Sequence, residues 1–569
     1  SPADPTKLVL KPLLPLKPAT HYLAVLTSGL TDNAGNAALP SFVFGFLKQT
    51  TPLVDANGHS LIPADDASAQ QLEPLRQLTQ AMLGFAATQG VNPADVAICW
   101  TFKTQTLNQV LPAIEAESFT NPYTTAASFH AVPAIPDPVL TGGLGVLDIY
   151  SFVVANDPYG TLGLQDAYAN GSFNSVASMV IGAVDLPYYL DAPAHANDPT
   201  PLASTFSFNP GSSLPVTKSV QTVPFLLSVP NTPGPWPVVI FQHGFTVDKS
   251  VVMGIVGSLA KAGFATIAID AVLHGDRTFD LDLVNNTTGA PGPDGVPDSS
   301  GTHYLNLGHL LTARDNVRQS VADLIHLTRL IENQTMDVVN NTTGLLGPDG
   351  AADLLVVQGV AGFVGHSNGG ILGTMLAATD PYVQTFVLAN PGGVYSDIFQ
   401  NSVEISPLVN AGLADKGVTV GSPDYFAFLA AAQTVADDAD PFNYAPLAAA
   451  AGKNILLFKQ LDDLVVPNAS TDLLSGALGL VQVAANGKGS WPVVVPSPYV
   501  GSGFVKFLRG THSSFLKPDD PIDPVLVGLD VITEMQTETA TFLGSALLGG
   551  ATIQIGNATG PNSGQLIVE

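Results

Sequence analysis

The chain has 569 residues and carries 20 Lys and Arg against 47 Asp and Glu, a net charge of −27. That balance excludes nucleic acid as a partner and simple electrostatic docking on an anionic lipid surface. Only 12% of residues are charged and 46% are hydrophobic, which excludes a disordered chain and allows a large core in two or three domains. A single cysteine, Cys99, excludes an intramolecular disulfide, and no stretch reads as a transmembrane helix.

Residues 7–48 resemble the last strands of a bacterial Ig-like module: residues 17–26 alternate as a strand does, and residues 29–36 carry turn chemistry. Residues 66–89 predict a helix with Leu72, Leu75, Leu78, Met82 and Phe85 on one stripe. A strand is expected at 95–104 and a helix at 105–118. Residues 1–118 thus read as an Ig-like, α+β N-terminal region truncated at its start. Residues 119–215, rich in Pro, Gly and Asn, read as an irregular linker or accessory region.

From about residue 216 strands and helices alternate. Strands are expected at 237–242, 264–269, 360–365, 384–389, 454–459 and 503–508, and helices at 249–262, 304–334, 368–379 and 522–547. The alternation predicts a mostly parallel sheet with helices on both faces. Inserts fall at 276–303 and 335–355. A third, at 391–453, is either a cap over the site or a plain surface excursion.

The insert sequences repeat. The run from Asp282 through Asp294 to Asp298 recurs from Asp337 through Asp349 to Asp353, each with Asn-Asn-Thr-Thr-Gly and Gly-Pro-Asp-Gly. Carboxylates and amides in glycine turns suit Ca²⁺, so these six aspartates are a candidate calcium site. The spacing does not match a twelve-residue EF-hand loop, and turns whose Asn and Asp bond their own backbone explain it equally.

Gly365-His366-Ser367-Asn368-Gly369 stands between an apolar run and a helical pattern. It matches the G-x-S-x-G nucleophile elbow, a strained turn that exposes a serine hydroxyl above an α/β sheet. On such a sheet the partners follow in the order Ser, acid, His. Of 11 histidines only His512 lies beyond the elbow, on a loop after the last predicted strand. The acid belongs on the loop after strand 454–459; spacing to Val466-Pro467 selects Asp463, with Asp462 as the alternative. His512 has the proton affinity to activate the hydroxyl of Ser367, and Asp463 would hold the imidazole tautomer. His243-Gly244-Phe245 ends the strand at 237–242, so the backbone N–H groups of Phe245 and Asn368 are the candidate oxyanion hole. His243 reads as a structural loop residue, because the base comes later in the chain.

The motifs at 241–246 (Phe-Gln-His-Gly-Phe-Thr), 262–270 and Leu273-His274-Gly275, with the Ig-like start and the Gly-Pro-Asp-Gly insert, resemble the bacterial virulence-factor lipase family. That resemblance covers most of the chain. It implies an α/β-hydrolase fold and an exported carboxylic ester hydrolase acting on lipid-like esters, lysophospholipids among them, through Ser367, Asp463 and His512. Full family members carry more N-terminal sequence, often with a lipoprotein signal. The expected location is extracytoplasmic, secreted or on the bacterial surface, with an export signal already removed and peripheral membrane association left open. A monomer that needs no cofactor is expected, with Ca²⁺ in a structural role only. Three alternatives keep the same residues: a polyesterase, an amidase or peptidase, and a surface adhesin whose hydrolase domain is silent.

Overall fold

The computed structural model describes residues 8, 16–120, 129–131, 145–147, 153, 164–333, 339–340, 345–346, 354–355 and 361–569. The chain divides into two compact units at Leu107/Asn108.

In the smaller unit, Leu16–Leu107, strands His21–Thr27 and Val96–Lys103 pair antiparallel, with Val25 opposite Cys99. Helices Phe42–Lys48 and Asp66–Thr88 cover one face, and Phe44, Leu83, Val96 and Cys99 form the core. Asp65 caps the longer helix through the Ser68 amide. The buried stripe of this helix is Ala69, Arg76, Thr79, Leu83 and Ala86, while Leu75, Leu78 and Phe85 of the predicted stripe are exposed. Arg76 turns the helix this way: its guanidinium binds Glu73 at 2.7 Å and the carbonyls of Gln49 and Thr50.

The boundary expected at 118 lies earlier. Helix Val110–Ser118 belongs to the larger unit, where Val110, Leu111 and Ile114 enter the main core. The region 119–215 is also less irregular than expected. Val176–Tyr188 is a 13-residue strand pairing along Ser219–Pro230. Gly182 within it lies under the Phe225 ring, where a Cβ would come within 2.2 Å. That glycine and Pro187 obscured the strand pattern in the sequence.

Among the described residues the main sheet has 13 strands. Its central order is Val176–Tyr188, Ser219–Pro230, Ala265–Ile269, Trp236–Gln242, Ala361–His366, Val383–Ala389, Asn454–Gln460 and Gly503–Phe507. Ser219–Pro230 runs antiparallel to both neighbours, and the strands from Ala265–Ile269 onward are parallel. Alternate side chains separate two cores. Val238, Ile240, Phe363, Phe386 and Leu457 face helices Leu310–Glu332 and Asn368–Thr379. Val239, Phe241, Val364, Val387 and Phe458 face helices Val256–Lys261 and Leu526–Leu547. All six strands expected in this unit are present within a residue or two. This is the α/β-hydrolase fold, with functional loops at the carboxyl ends of the parallel strands.

The insert at 391–453 is helical: Tyr395–Asn401, Ile405–Ala414, Pro423–Ala436 and Pro441–Ala450. It is fastened to helix Leu310–Glu332 by the Arg318–Asp438 ion pair, and Asp440 accepts from the amides of Val394 and Tyr395.

Candidate active site

Ser367 sits between strand Ala361–His366 and helix Asn368–Thr379 at φ +57° and ψ −118°. That backbone strain is stored only because the neighbours over-determine it. A Cβ on Gly365 would lie 2.3 Å from the Gly369 carbonyl oxygen, and one on Gly369 would lie 2.0 Å from that of Gln242. The motif therefore needs glycine at both ends, since strand and helix leave no room for a methyl group.

Asp463 and His512 meet. His512 Nδ1 donates to Asp463 Oδ2 at 2.7 Å, with both side chains largely buried. The other carboxylate oxygen accepts from the amides of Val465 at 2.9 Å and Val466 at 2.8 Å. Those bonds fix the carboxylate, and the carboxylate fixes the tautomer with Nε2 bare. The alternative acid, Asp462, is exposed and lies beside Arg509.

His512 is tied to the elbow by its own backbone. Its carbonyl accepts from His366 Nε2 at 2.8 Å and Asn390 Nδ2 at 2.9 Å. The His366 ring lies 5.0 Å from that of His512 and stacks on Phe515. Burial, reinforced by the neighbouring His512, pushes the pKa of His366 down to about 3. It is neutral at pH 7 and can donate from Nε2. Sequence reasoning missed both His366 and Asn390 as partners of His512. Asn390 stands at φ +55° at the end of strand Val383–Ala389, a conformation asparagine tolerates, and that was its only signal.

The loop of the candidate oxyanion hole is set by His243. Its Nε2 accepts from the Ala271 amide at 2.9 Å, so Nδ1 carries the proton and donates to the Gly244 carbonyl at 2.7 Å. Because the peptide is trans, the Phe245 N–H points away from that carbonyl. Burial pushes His243 down to about 4, consistent with a neutral, structural ring. A Cβ on Gly244 would lie 2.9 Å from that of Ser367, so this loop touches the serine. Asn368 opens the helix, where backbone N–H groups have no intrahelical partner. Lys249 locks the far side of the loop through Asp270 at 2.8 Å and Asp276 at 2.5 Å.

Asp282, Asp294 and Asp298 are not gathered around a common point. Asp282 accepts from the amides of Asp294 and Gly295, and Asp294 from those of Asn286 and Val296. Asp298 accepts from the Leu283 amide and from His303. Among the described residues no group of three or more His, Cys, Asp or Glu could hold a metal ion. In the first copy these aspartates bond the backbone of their own turn. Asp337, Asp349 and Asp353 lie outside the described residues.

No family model and no curated protein matches this chain. Among solved structures it is similar to 2,6-dihydroxy-pseudo-oxynicotine hydrolase, at 13% identity over 58% of this chain and 68% of that one, with a TM-score of 0.34. Acetyl xylan esterase 1 from Thermoanaerobacterium sp. JW/SL YS485 is 17% identical over 45% and 69%, with a TM-score of 0.30. The Pyrococcus horikoshii acylaminoacyl peptidase is 11% identical over 58% and 40%, with a TM-score of 0.33. Likenesses at this level carry nothing about substrate; the strand order and the elbow carry the reading below.

Proposed function

We propose that the chain is a serine carboxylic ester hydrolase working through an acyl-enzyme. The observation that carries this reading is the 2.7 Å bond from His512 Nδ1 to Asp463, with the His512 carbonyl bonded to the residue preceding Ser367. In this mechanism Ser367 Oγ attacks the ester carbonyl while His512 Nε2 takes its proton. The developing oxyanion is met by the backbone N–H groups of Phe245 and Asn368, each worth about 10²–10³ in turnover. The C–O bond to the alcohol breaks, and His512 returns the proton to that oxygen. Water, activated by the same imidazole, then releases the acid. Asp463 stays ionised throughout and stabilises the imidazolium.

The test is hydrolysis of a p-nitrophenyl ester series by the parent and by Ser367→Ala, with a matched anilide alongside. Ester turnover that disappears in the variant supports the reading. Turnover that survives in Ser367→Ala overturns it, and faster cleavage of the anilide would reassign the chain to amides.

A further inference from the structure

One bond through its ring and two through its carbonyl hold His512 at the site. The chain that carries it is the loop between strand Gly503–Phe507 and helix Leu526–Leu547. One buried carboxylate ties the two limbs of that loop together. Asp520, on the returning limb, is 3% exposed and accepts five hydrogen bonds. Its Oδ2 takes the Gly510 amide at 3.0 Å and Arg509 Nε at 3.1 Å. Its Oδ1 takes Arg509 Nη2 at 2.5 Å, the Ile522 amide at 2.9 Å and the Asp523 amide at 3.0 Å. Oδ2 thus holds the limb that leads to His512, two residues ahead of it, and Oδ1 holds the turn that leads into the helix.

Both limbs are otherwise cramped. Gly510 stands at φ +90°, and a Cβ there would lie 2.7 Å from Ser514 Oγ and 2.9 Å from Val531 of the helix. Ser514 Oγ accepts from the Thr511 amide at 2.7 Å and donates to the Asp519 carbonyl at 2.6 Å. Thr511 Oγ1 donates to the Asp519 carboxylate at 2.7 Å. Gly528 lets the helix come up against the returning limb, where a Cβ would lie 2.7 Å from the Asp519 nitrogen. Residues 509–511 and 519–520 are therefore pressed on a wall formed by the helix, and His512 projects from between them.

Arg509 also stands where this loop passes the one carrying the acid. The Leu461 amide donates to the Phe507 carbonyl at 2.9 Å, and Asp462 lies within electrostatic reach of the guanidinium. Asp462 is exposed, so water screens its pull, and the buried Asp520 decides where the guanidinium rests.

We propose that Asp520, acting through Arg509 and Gly510, is a positioning residue that sets the approach of His512 Nε2 to Ser367 Oγ; the assignment rests on the ester-hydrolase reading above. A general base works only within hydrogen-bond reach of the proton it takes. A displacement on the order of 1 Å there can cost about 10²-fold. Asp520→Asn breaks the tie by polarity alone. Its one oxygen can serve one side, and its NH₂ then meets N–H donors on the other. Whichever side keeps the oxygen, the limb at Gly510 and the turn at Ile522 are no longer joined.

The experiment counts turnover per active serine. Parent and Asp520→Asn are labelled to completion with a fluorophosphonate, so that misfolded protein drops out of the count. The kcat per labelled site is expected to fall about 30-fold for p-nitrophenyl butyrate, with KM within about threefold. An unchanged kcat per site beside a lowered Tm would make Asp520 a stability residue only and overturns the proposal; so does a loss carried by KM alone. Should Asp520→Asn fail to fold, Arg509→Lys keeps the charge and the Gly510 bond but loses the fork. Its expected loss is about fivefold in kcat, read the same way. A second arm needs no turnover. The low-field proton resonance of His512 Nδ1–H, identified by its absence in His512→Ala, should shift or broaden in Asp520→Asn. An unmoved resonance overturns the proposal. A resonance that moves, in a protein whose ester turnover is absent or survives Ser367→Ala, keeps the positioning role and discards the ester-hydrolase reading instead.

Discussion

Replacing Asp463 by Asn is the sharpest perturbation of the proposed mechanism, because the result follows from hydrogen-bond polarity alone. One carboxylate oxygen accepts from the amides of Val465 and Val466, and the other from His512 Nδ1 at 2.7 Å. An amide group cannot present oxygen to both sides. Its oxygen must stay with the two backbone amides, since an NH₂ group offers them no acceptor. The NH₂ then faces His512 Nδ1, which has to become the acceptor, and the imidazole proton moves to Nε2. In that tautomer the ring cannot take a proton from Ser367. The expected loss is about 10⁴ in kcat, or about 5.5 kcal/mol of transition-state stabilisation. The assay is p-nitrophenyl butyrate turnover at pH 8, with circular dichroism to show an unchanged fold. Asp462→Asn is the control: it is exposed, and its effect should stay within about threefold. Activity of Asp463→Asn within tenfold of the parent, or a larger loss in Asp462→Asn, would refute the reasoning.

Gly369→Ala should destabilise by about 3 kcal/mol or more, read by urea unfolding, because its Cβ would lie 2.0 Å from a backbone oxygen that has no freedom to move away. His366→Leu removes one of two donors to the His512 carbonyl and should lower kcat about tenfold to a hundredfold with KM little changed; His366→Gln, which keeps an N–H, should recover most of it. Arg277→Met leaves Asp323 buried without its partner at 2.6 Å and should cost about 3–5 kcal/mol in urea unfolding, with ester turnover retained by the folded fraction.

The parts legible in the sequence were those whose signal is local. The elbow announces itself because Gly365, Ser367 and Gly369 answer one steric problem within five residues. The parallel strands announce themselves because both faces are buried, so each is an unbroken apolar run. His512 was found by chain order and Asp463 by its spacing to Val466-Pro467. What stayed hidden depends on contacts between distant segments. Val176–Tyr188 carries Gly182 only because Phe225, across the strand pair, occupies the space. The outward turn of Leu75, Leu78 and Phe85 follows from where Arg76 finds its acceptors. His366 and Asn390 act on His512 through a backbone carbonyl, which leaves no mark on the partner's residue type. The aspartate repeat left two readings open for a related reason, since ligand-like residues and self-bonding turns share one composition.

The acid side of the stability curve ties the fold to the same site. Burial holds His243 at about 4 and His274, His326 and His366 at about 3. All four lie below the ordinary value of about 6.5, so below that pH the unfolded chain binds more protons than the folded one. Their contribution is complete above about pH 6.5 and is lost as pH falls toward the folded values. At pH 5 each accounts for about 2 kcal/mol. Asp380, raised by burial to about 6, and Glu115, raised to about 8, act in the opposite sense, losing stability as pH rises through those values. Glu538, Asp270, Asp323 and Asp440, raised by burial as well, act in that same opposite sense and offset the histidine loss in part. In His326→Leu the urea midpoint should fall less between pH 7 and pH 5 than in the parent, and an unchanged slope would contradict a neutral buried imidazole there. Two of the four flank Ser367. Protonated His243 could no longer accept from the Ala271 amide, and the loop carrying Phe245 would lose its anchor. Activity in mild acid should thus be lost with the elbow's supports as His243 and His366 take up protons.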